Sequence, residues 1–281
     1  MTTPTALVTG ANSGIGLETT RALAAKGYRT FLLCRNEERA NAAVADIRTT
    51  VPDADLEIVL ADLGLQASVR AAAATITSEL DHLDVLVNNA GVTVRAPERT
   101  AEDHDLMLAT NQLGPFLLTE LLRPLLVATG PARIVNVASH AHRFAKSLDL
   151  DHLDTPTSYG WLGMPRYGAT KLMNILWTRE LARRLADSQV TANAVHPGAV
   201  RSNLGSPAAW QKAIVSAFMV SAERGAATSV FLATDPSLAG ITGGYWAKSV
   251  RADAKLSTLA RDDELAARLW DRCVTLTADD S

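Results

Sequence analysis

Thr5-Ala6-Leu7-Val8-Thr9-Gly10-Ala11-Asn12-Ser13-Gly14-Ile15-Gly16 is the stretch on which the fold turns. Its first five residues read as a short buried strand, and Leu17, Leu23 and Ala24 then recur at helical spacing up to Gly27. Strand, glycine-rich turn and helix in direct succession form the setting that a bound phosphate requires. Glycines allow the tight turn and the close approach of backbone to a pyrophosphate, whose charge then meets the helix N-terminus. A purely structural glycine turn is the alternative. With these flanks, Gly10, Asn12, Ser13, Gly14, Ile15 and Gly16 become candidate phosphate contacts.

The same alternation continues downstream. A second strand is predicted over 28–34, followed by Arg35 and Asn36 and a helix to Arg48. In a dinucleotide fold the end of that strand meets the adenosine ribose. An acidic residue there accepts from the 2′-hydroxyl of NAD, whereas an arginine suits the 2′-phosphate of NADP. Arg35 therefore points to NADP(H), unless it merely pairs with Glu37 or Glu38 at the surface. A strand over 56–60 ends at Asp62 and Leu63; the Asp62 carboxylate either accepts from an adenine amino group or caps the helix expected over 65–80. The apolar run 83–87 reads as a strand covered on both faces and ends in Asn88-Asn89-Ala90-Gly91. Small residues there let a cofactor lie against the strand end, and the asparagine amides can tie neighbouring strands together. Residues 101–127 are expected to be largely helical, with Asn111 just ahead of a break at Gly114-Pro115. A strand over 133–137 ends at Ser139. The alternation of strand and helix predicts an α/β, Rossmann-like doubly wound parallel sheet in three layers, with the signature residues at strand C-termini.

Tyr167 and Lys171 lie four residues apart in a helix that begins near Pro165 and is expected to run to about Ala186. Side chains at i and i+4 share a face, so the lysine can hold positive charge near a phenol that otherwise titrates near pH ~10. That favours the phenolate and readies Tyr167 for proton exchange with a substrate oxygen. A surface tyrosine and lysine are the plain alternative. Between Ser139 and this helix, 141–164 is expected to be a mobile loop, and His140-x-His142 lacks the further ligands of a metal site. A strand over 189–195 leads to His196-Pro197-Gly198. The 205–221 stretch carries Trp210, Phe218 and Met219, which either line a substrate cavity or simply pack. A helix over 222–233, a last strand over 243–246 and a helix over 262–276 complete the chain.

Composition narrows the function classes. A chain of 281 residues, 47% hydrophobic and with no linker-like stretch, is expected to form a single domain. A formal charge of −3 gives no footprint for nucleic acid, and no apolar run reaches the ~18 residues of a membrane span. Two cysteines suggest neither a disulfide framework nor a zinc site, so a soluble, cytoplasmic protein without a membrane anchor is expected.

Taken together, Thr9-Gly10-x-x-x-Gly14-x-Gly16, Asn88-Asn89-Ala90-Gly91, Asn111, Ser139, Tyr167-x-x-x-Lys171 and His196-Pro197-Gly198 resemble the short-chain dehydrogenases/reductases over essentially the whole chain. Cys34-Arg35-Asn36-x-x-Arg39, the long gap from Ser139 to Tyr167, Thr178-Arg179-Glu180-Leu181-Ala182 and Arg268-Leu269-Trp270 look like the retinol dehydrogenase and WW-domain oxidoreductase branch. The resemblance implies a tetrad. Tyr167 would be the acid or base, Lys171 would lower its pKa and hold the nicotinamide ribose, Ser139 would orient the carbonyl, and Asn111 would hold a water in a proton relay. It further implies Gly10, Asn12, Ser13, Gly14, Ile15 and Gly16 at the pyrophosphate, Arg35 with Asn36 at the 2′-phosphate, and Asp62 and Leu63 at the adenine. Asn88, Ala90 and Gly91 would lie along the nucleoside, and Pro197, Gly198, Val200 and Ser202 at the nicotinamide. The expected activity is NADP(H)-dependent hydride transfer to or from a bulky, largely apolar carbonyl or alcohol. Its pocket would lie between 140–165 and 200–221, lined by Phe144, Trp161, Leu162, Leu204, Trp210, Phe218 and Met219. A dinucleotide-binding redox sensor without turnover is the competing reading, and association of identical copies stays open.

Overall fold

The computed structural model describes residues 2–156, 158–198 and 221–278. Strands β1 (Thr5–Thr9), β2 (Arg29–Cys34), β3 (Leu56–Leu60), β4 (Val85–Asn88), β5 (Arg133–Val137), β6 (Thr191–His196), β7 (Tyr245–Ala247) and β8 (Val250–Arg251) form one sheet in the order β3-β2-β1-β4-β5-β6-β7-β8. Every pairing is parallel except β7 with β8. This is the doubly wound α/β sheet expected from the sequence.

Successive side chains of a strand face opposite layers, and here both layers are apolar. Leu7, Phe31, Leu33 and Ile134 pack into one core with α3 (Gln66–Glu79), α5 (Gly114–Thr129), α6 (Met164–Arg184) and the Asp263–Leu276 helix. Ala6, Val8, Leu32 and Val135 pack into the other with α1 (Gly14–Ala25), α2 (Glu37–Arg48) and the Ala222–Thr234 helix. Continuous apolar strands thus report burial on both faces.

The strand order reverses between β1 and β4, and the two diverging connections open a crevice beyond the strand C-termini. Its walls are held by buried amides, as anticipated for the asparagines after 87. Asn88 Nδ2 donates to Thr119 Oγ1 at 3.0 Å and Asn136 Oδ1 at 2.9 Å, while Asn136 Nδ2 donates to Thr178 Oγ1 at 2.9 Å. Across the reversal, Asn89 Nδ2 donates to Thr9 O at 2.9 Å, and Thr9 Oγ1 accepts from the backbone N–H groups of Asn89 and Ala90 at 2.9 and 3.0 Å.

Several local expectations change. The break foreseen at Gly114-Pro115 is no break. A short helix, α4 (Leu106–Leu108), passes into a π turn over Ala109–Leu113 and on into α5, whose first turn holds Pro115. Proline is tolerated there because the helix ahead of it widens into the π turn and the Asn111 carbonyl, which loses the N–H of residue 115, takes a donor from Asn174 Nδ2 instead. Nor does Asp62 cap α3: its N-cap position is Leu65, and Glu102 accepts from Gln66 N–H at 2.5 Å and Ala67 N–H at 3.1 Å. Asp62 instead accepts from Gly64 N–H at 2.8 Å. The last strand predicted over 243–246 shifts to Tyr245–Ala247 and pairs with β8 through Lys248 and Ser249, at φ 54° and 56°. That is a primed two-residue hairpin turn built without glycine or asparagine, so its usual signal was missing.

The segment after Ser139 is anchored rather than loose. His140–Phe144 forms a 3₁₀ turn against α6, where a Cβ on Gly168 would come 2.5 Å from Ala141 O. Beyond it, Leu150, Leu153 and Tyr159 are buried, and a buried ion pair fixes the second half of the segment. Arg166 donates to Asp105 Oδ1 from Nη2 at 2.9 Å and to Leu153 O at 2.7 Å, and the Tyr159 hydroxyl donates to Asp105 Oδ2. A guanidinium and a carboxylate so enclosed hold together because each satisfies the other.

Candidate functional site

Lys171 lies at the floor of the crevice, 3% exposed. The first turn of α6 carries Pro165, as the sequence suggested, and the helix aims Lys171 under the end of β5. Its Nζ donates to Val137 O at 2.8 Å and Asn174 Oδ1 at 3.0 Å, which accounts for two of the three N–H donors of an ammonium. Toward the crevice, Gly91 leaves room: a Cβ there would sit 3.3 Å from Asn111 Oδ1 and 3.7 Å from Lys171 Nζ.

Tyr167 stands one turn above, its ring centre 5.7 Å from Nζ, and its hydroxyl meets the Ser139 side chain. Burial pushes the phenol up to about 12, and the Ser139 hydroxyl pulls it part of the way back. The depression foreseen from Lys171 is not present in this state. The ammonium is turned toward the Val137 carbonyl, and its own burial brings it down to about 8. At neutral pH the pair is therefore a protonated phenol and a charged lysine.

Asn111 sits in the π turn, a feature frequent at functional sites. Its side chain accepts from Val92 N–H at 2.7 Å and donates to Val92 O at 2.9 Å and Thr170 Oγ1 at 3.1 Å. These bonds fasten the loop after β4 to the wall of the site. Asn111 O accepts from Asn174 Nδ2 at 2.8 Å.

The glycine-rich turn occupies the other half of the crevice. Gly10 and Gly14 have φ of 65° and 55°, and a Cβ on Gly16 would lie 2.2 Å from Gly10 O. Ser13, exposed at the N-cap of α1, makes no capping bond, although Asn36, Ser221 and Asp262 do cap their helices. The turn thus keeps open backbone and a free hydroxyl at a positive helix end, which fits a pyrophosphate. Arg35 and Asn36 are exposed at the end of β2. Arg35 lies 3.5 Å from Asp62 and pairs with neither Glu37 nor Glu38. Leu63 is buried, Ala90 is half-buried, and Asn88 points its amide into the helical layer. Pro197 and Gly198 are half-buried beyond β6; Val200, Ser202, Leu204, Trp210, Phe218 and Met219 lie outside the described residues.

A model of the short chain dehydrogenases matches residues 4–148. Human retinol dehydrogenase 11 is 39% identical over 268 residues, covering 94% of this chain and 83% of its own. The chain belongs to the short-chain dehydrogenase/reductase family. Among solved structures, an uncharacterised protein from Mycobacterium paratuberculosis superposes with a TM-score of 0.77 at 30% identity, covering 98% of this chain and 93% of its own. An actinorhodin polyketide ketoreductase with NADPH does so with a TM-score of 0.67 at 27% identity, covering 87% and 95%. At family level this short-chain dehydrogenase/reductase is a nicotinamide-dependent oxidoreductase of CH–OH and C=O groups, of the retinol dehydrogenase branch.

Asn174, Thr170 and Gln112, which connect the signature residues, are specified by none of the sequence motifs. Asn174 carried a signal: it is the one polar side chain in the run 172–177, three residues past Lys171 and so on the same helical face.

Three imidazoles back the site. His140 and His196 lie tilted against each other with ring centres 4.2 Å apart, and His142 lies buried with Nδ1 2.8 Å from Ser139 O. Burial lowers all three, aided by nearby positive charge from Arg143 or Lys255, and brings His196 to about 4. Unfolding returns them to an ordinary pKa near ~6.5, so the unfolded chain takes up protons that the fold refuses. Stability is thus complete above pH ~6.5 and is lost as pH falls toward 4. Denaturant unfolding across this window is expected to show His196 costing on the order of 2 kcal/mol, with His196→Gln flattening the decline. A wild-type curve level from pH 7 to 5 would contradict it.

Proposed function

We propose that this short-chain dehydrogenase/reductase is an NADP(H)-dependent enzyme that interconverts a bulky, largely apolar alcohol and its carbonyl, with Tyr167, Lys171, Ser139 and Asn111 as the working residues. The observation that carries this reading is the protonated phenol of Tyr167, paired with the Ser139 hydroxyl and backed by the charged Lys171, at the crevice where the glycine-rich turn opens. When bound, the nicotinamide gives or takes the hydride at the substrate carbon. Tyr167 holds the matching proton: a phenol at about 12 stays protonated at neutral pH, as an acid for carbonyl reduction must. Ser139 orients the carbonyl oxygen and shares the charge of the phenolate that forms, and a turn of the Lys171 ammonium from the Val137 carbonyl toward the ring would let it share that charge too. The unused third donor of Lys171, open toward Gly91, suits a ribose hydroxyl. Asn111 keeps the loop after β4 in place beside it.

Arg35, exposed and with Arg39 one turn beyond, supports a 2′-phosphate, and the structurally similar ketoreductase carries NADPH. Phe144, Trp161 and Leu162 are 54%, 77% and 47% exposed at the near end of α6, apolar surface that suits an apolar guest. Retinol, named in several relatives, is such an alcohol. Two buried free thiols suit a reducing compartment, and we take the cytoplasm as its place.

Tyr167→Phe is expected to lower kcat/KM by ~10²- to 10⁴-fold while leaving NADPH binding nearly unchanged, because only the transferable proton is removed. Turnover within a few-fold of wild type would overturn the assignment. Arg35→Asp is expected to erase most of a ~10- to 100-fold preference for NADPH over NADH, the size of a charge-assisted phosphate contact. The ratio of kcat/KM for the two cofactors reads this directly, and equal use of both by wild type would contradict it.

A further inference from the structure

Pro115 has no N–H, so the carbonyl of Asn111, four residues earlier, lacks the donor that an ordinary helix would give it. A buried carbonyl left in that condition is costly, and here a side chain supplies the donor. Asn174 Nδ2 donates to Asn111 O at 2.8 Å and to Gln112 Oε1 at 3.0 Å, while its Oδ1 accepts from Lys171 Nζ at 3.0 Å. Gln112 continues the chain, with Nε2 3.7 Å from Cys273 Sγ on the Asp263–Leu276 helix. All four side chains are buried. An amide cannot rotate within this cage: turning Asn174 over would set an N–H₂ against the ammonium and an oxygen against two other oxygens.

We infer that Asn174 is a positioning residue for the reaction, holding Lys171 charged and aimed at the crevice by locking the lysine to the π turn that Pro115 leaves short of a donor. This rests on the reading of Tyr167 and Lys171 given above. Asn174 takes one of the two lone pairs of the Asn111 carbonyl and leaves the other for the water that the family resemblance implies. The groups facing Lys171 leave few other sources of control. Tyr167 is its titratable neighbour on α6, β5 offers the neutral Val137 carbonyl, the π turn offers the amides of Asn111 and Gln112, and the loop after β4 offers Gly91. The Cys273 thiol beyond Gln112 is pushed up by burial and stays neutral. Among the described residues no carboxylate pairs with Lys171, so neutral acceptors alone decide how readily it keeps its proton.

The test is a ¹³C-lysine NMR titration of cofactor-free protein, tractable with six lysines, alongside the pH profile of kcat/KM. Wild-type Lys171 is expected to titrate below the other lysines. Asn174→Ala removes one of two acceptors and is expected to lower that titration by about one pH unit, moving the alkaline limb of activity down with it. Asn174→Asp is expected to move both up. Thermal melts establish that each variant is folded, and Asn174→Ser, which keeps a smaller acceptor, is expected to fall between wild type and alanine. A folded Asn174→Ala protein whose Lys171 titration and alkaline limb stay where wild type has them would overturn the assignment, even with activity lowered evenly at all pH. Tyr167→Phe in the same assay separates the two readings. Retained turnover there would overturn the functional reading, whereas an unmoved Lys171 overturns the role of Asn174.

Discussion

A buried ammonium with no carboxylate partner among the described residues is the constraint from which the site follows. Removing such an ion from water costs several kcal/mol, and in Lys171 the cost is offset by a strand-end carbonyl and one amide oxygen. For both acceptors to converge on one Nζ, the end of β5, the π turn and the middle of α6 must be fixed relative to one another. The Asn88–Asn136–Thr178 ladder and the amide cage of Asn174 do that fixing. At these amides and hydroxyls the fold gives up hydrophobic burial to hold a charge in place.

The crevice itself comes from topology. Where the connections diverge between β1 and β4, Thr9 and Asn89 bridge the gap through backbone and side-chain bonds, and this leaves Gly10 on one side and Gly91 on the other. Gly10 lets the loop after β4 pack close, since a Cβ there would lie 3.0 Å from Ala90 Cα, and Gly91 gives space over Lys171. The buried Asp105–Arg166 pair then ties the residue immediately before Tyr167 to the start of α4, which runs on into the π turn.

Much of this was legible in the sequence, and the reason is physical. Strands buried on both faces must be continuous apolar runs, and a turn that approaches a phosphate must shed side chains, so β1, β2, β4 and the 10–16 turn could be read directly. Tyr167 and Lys171 were legible because helical spacing fixes which residues share a face. What escaped depended on contacts across long separations: Glu102 capping α3, Arg166 meeting Asp105, Asn174 reaching Asn111. The π turn escaped because the pair Gly114-Pro115 reads locally as an end rather than as a helix start. The electrostatics of Tyr167 escaped because spacing places the lysine nearby, whereas the Val137 carbonyl decides where its charge points.

The central claim is that Lys171 is kept charged and buried for chemistry and not for stability. Lys171→Met, examined by denaturant unfolding and by NADPH-dependent reduction of an apolar aldehyde, tests it most directly. The unbranched side chain fills the same space without the desolvation cost, which offsets the two acceptors it leaves without a donor, so the unfolding midpoint should stay close to that of wild type while turnover is lost. A methionine variant that still turns over substrate, or one that unfolds at markedly lower denaturant, would contradict it.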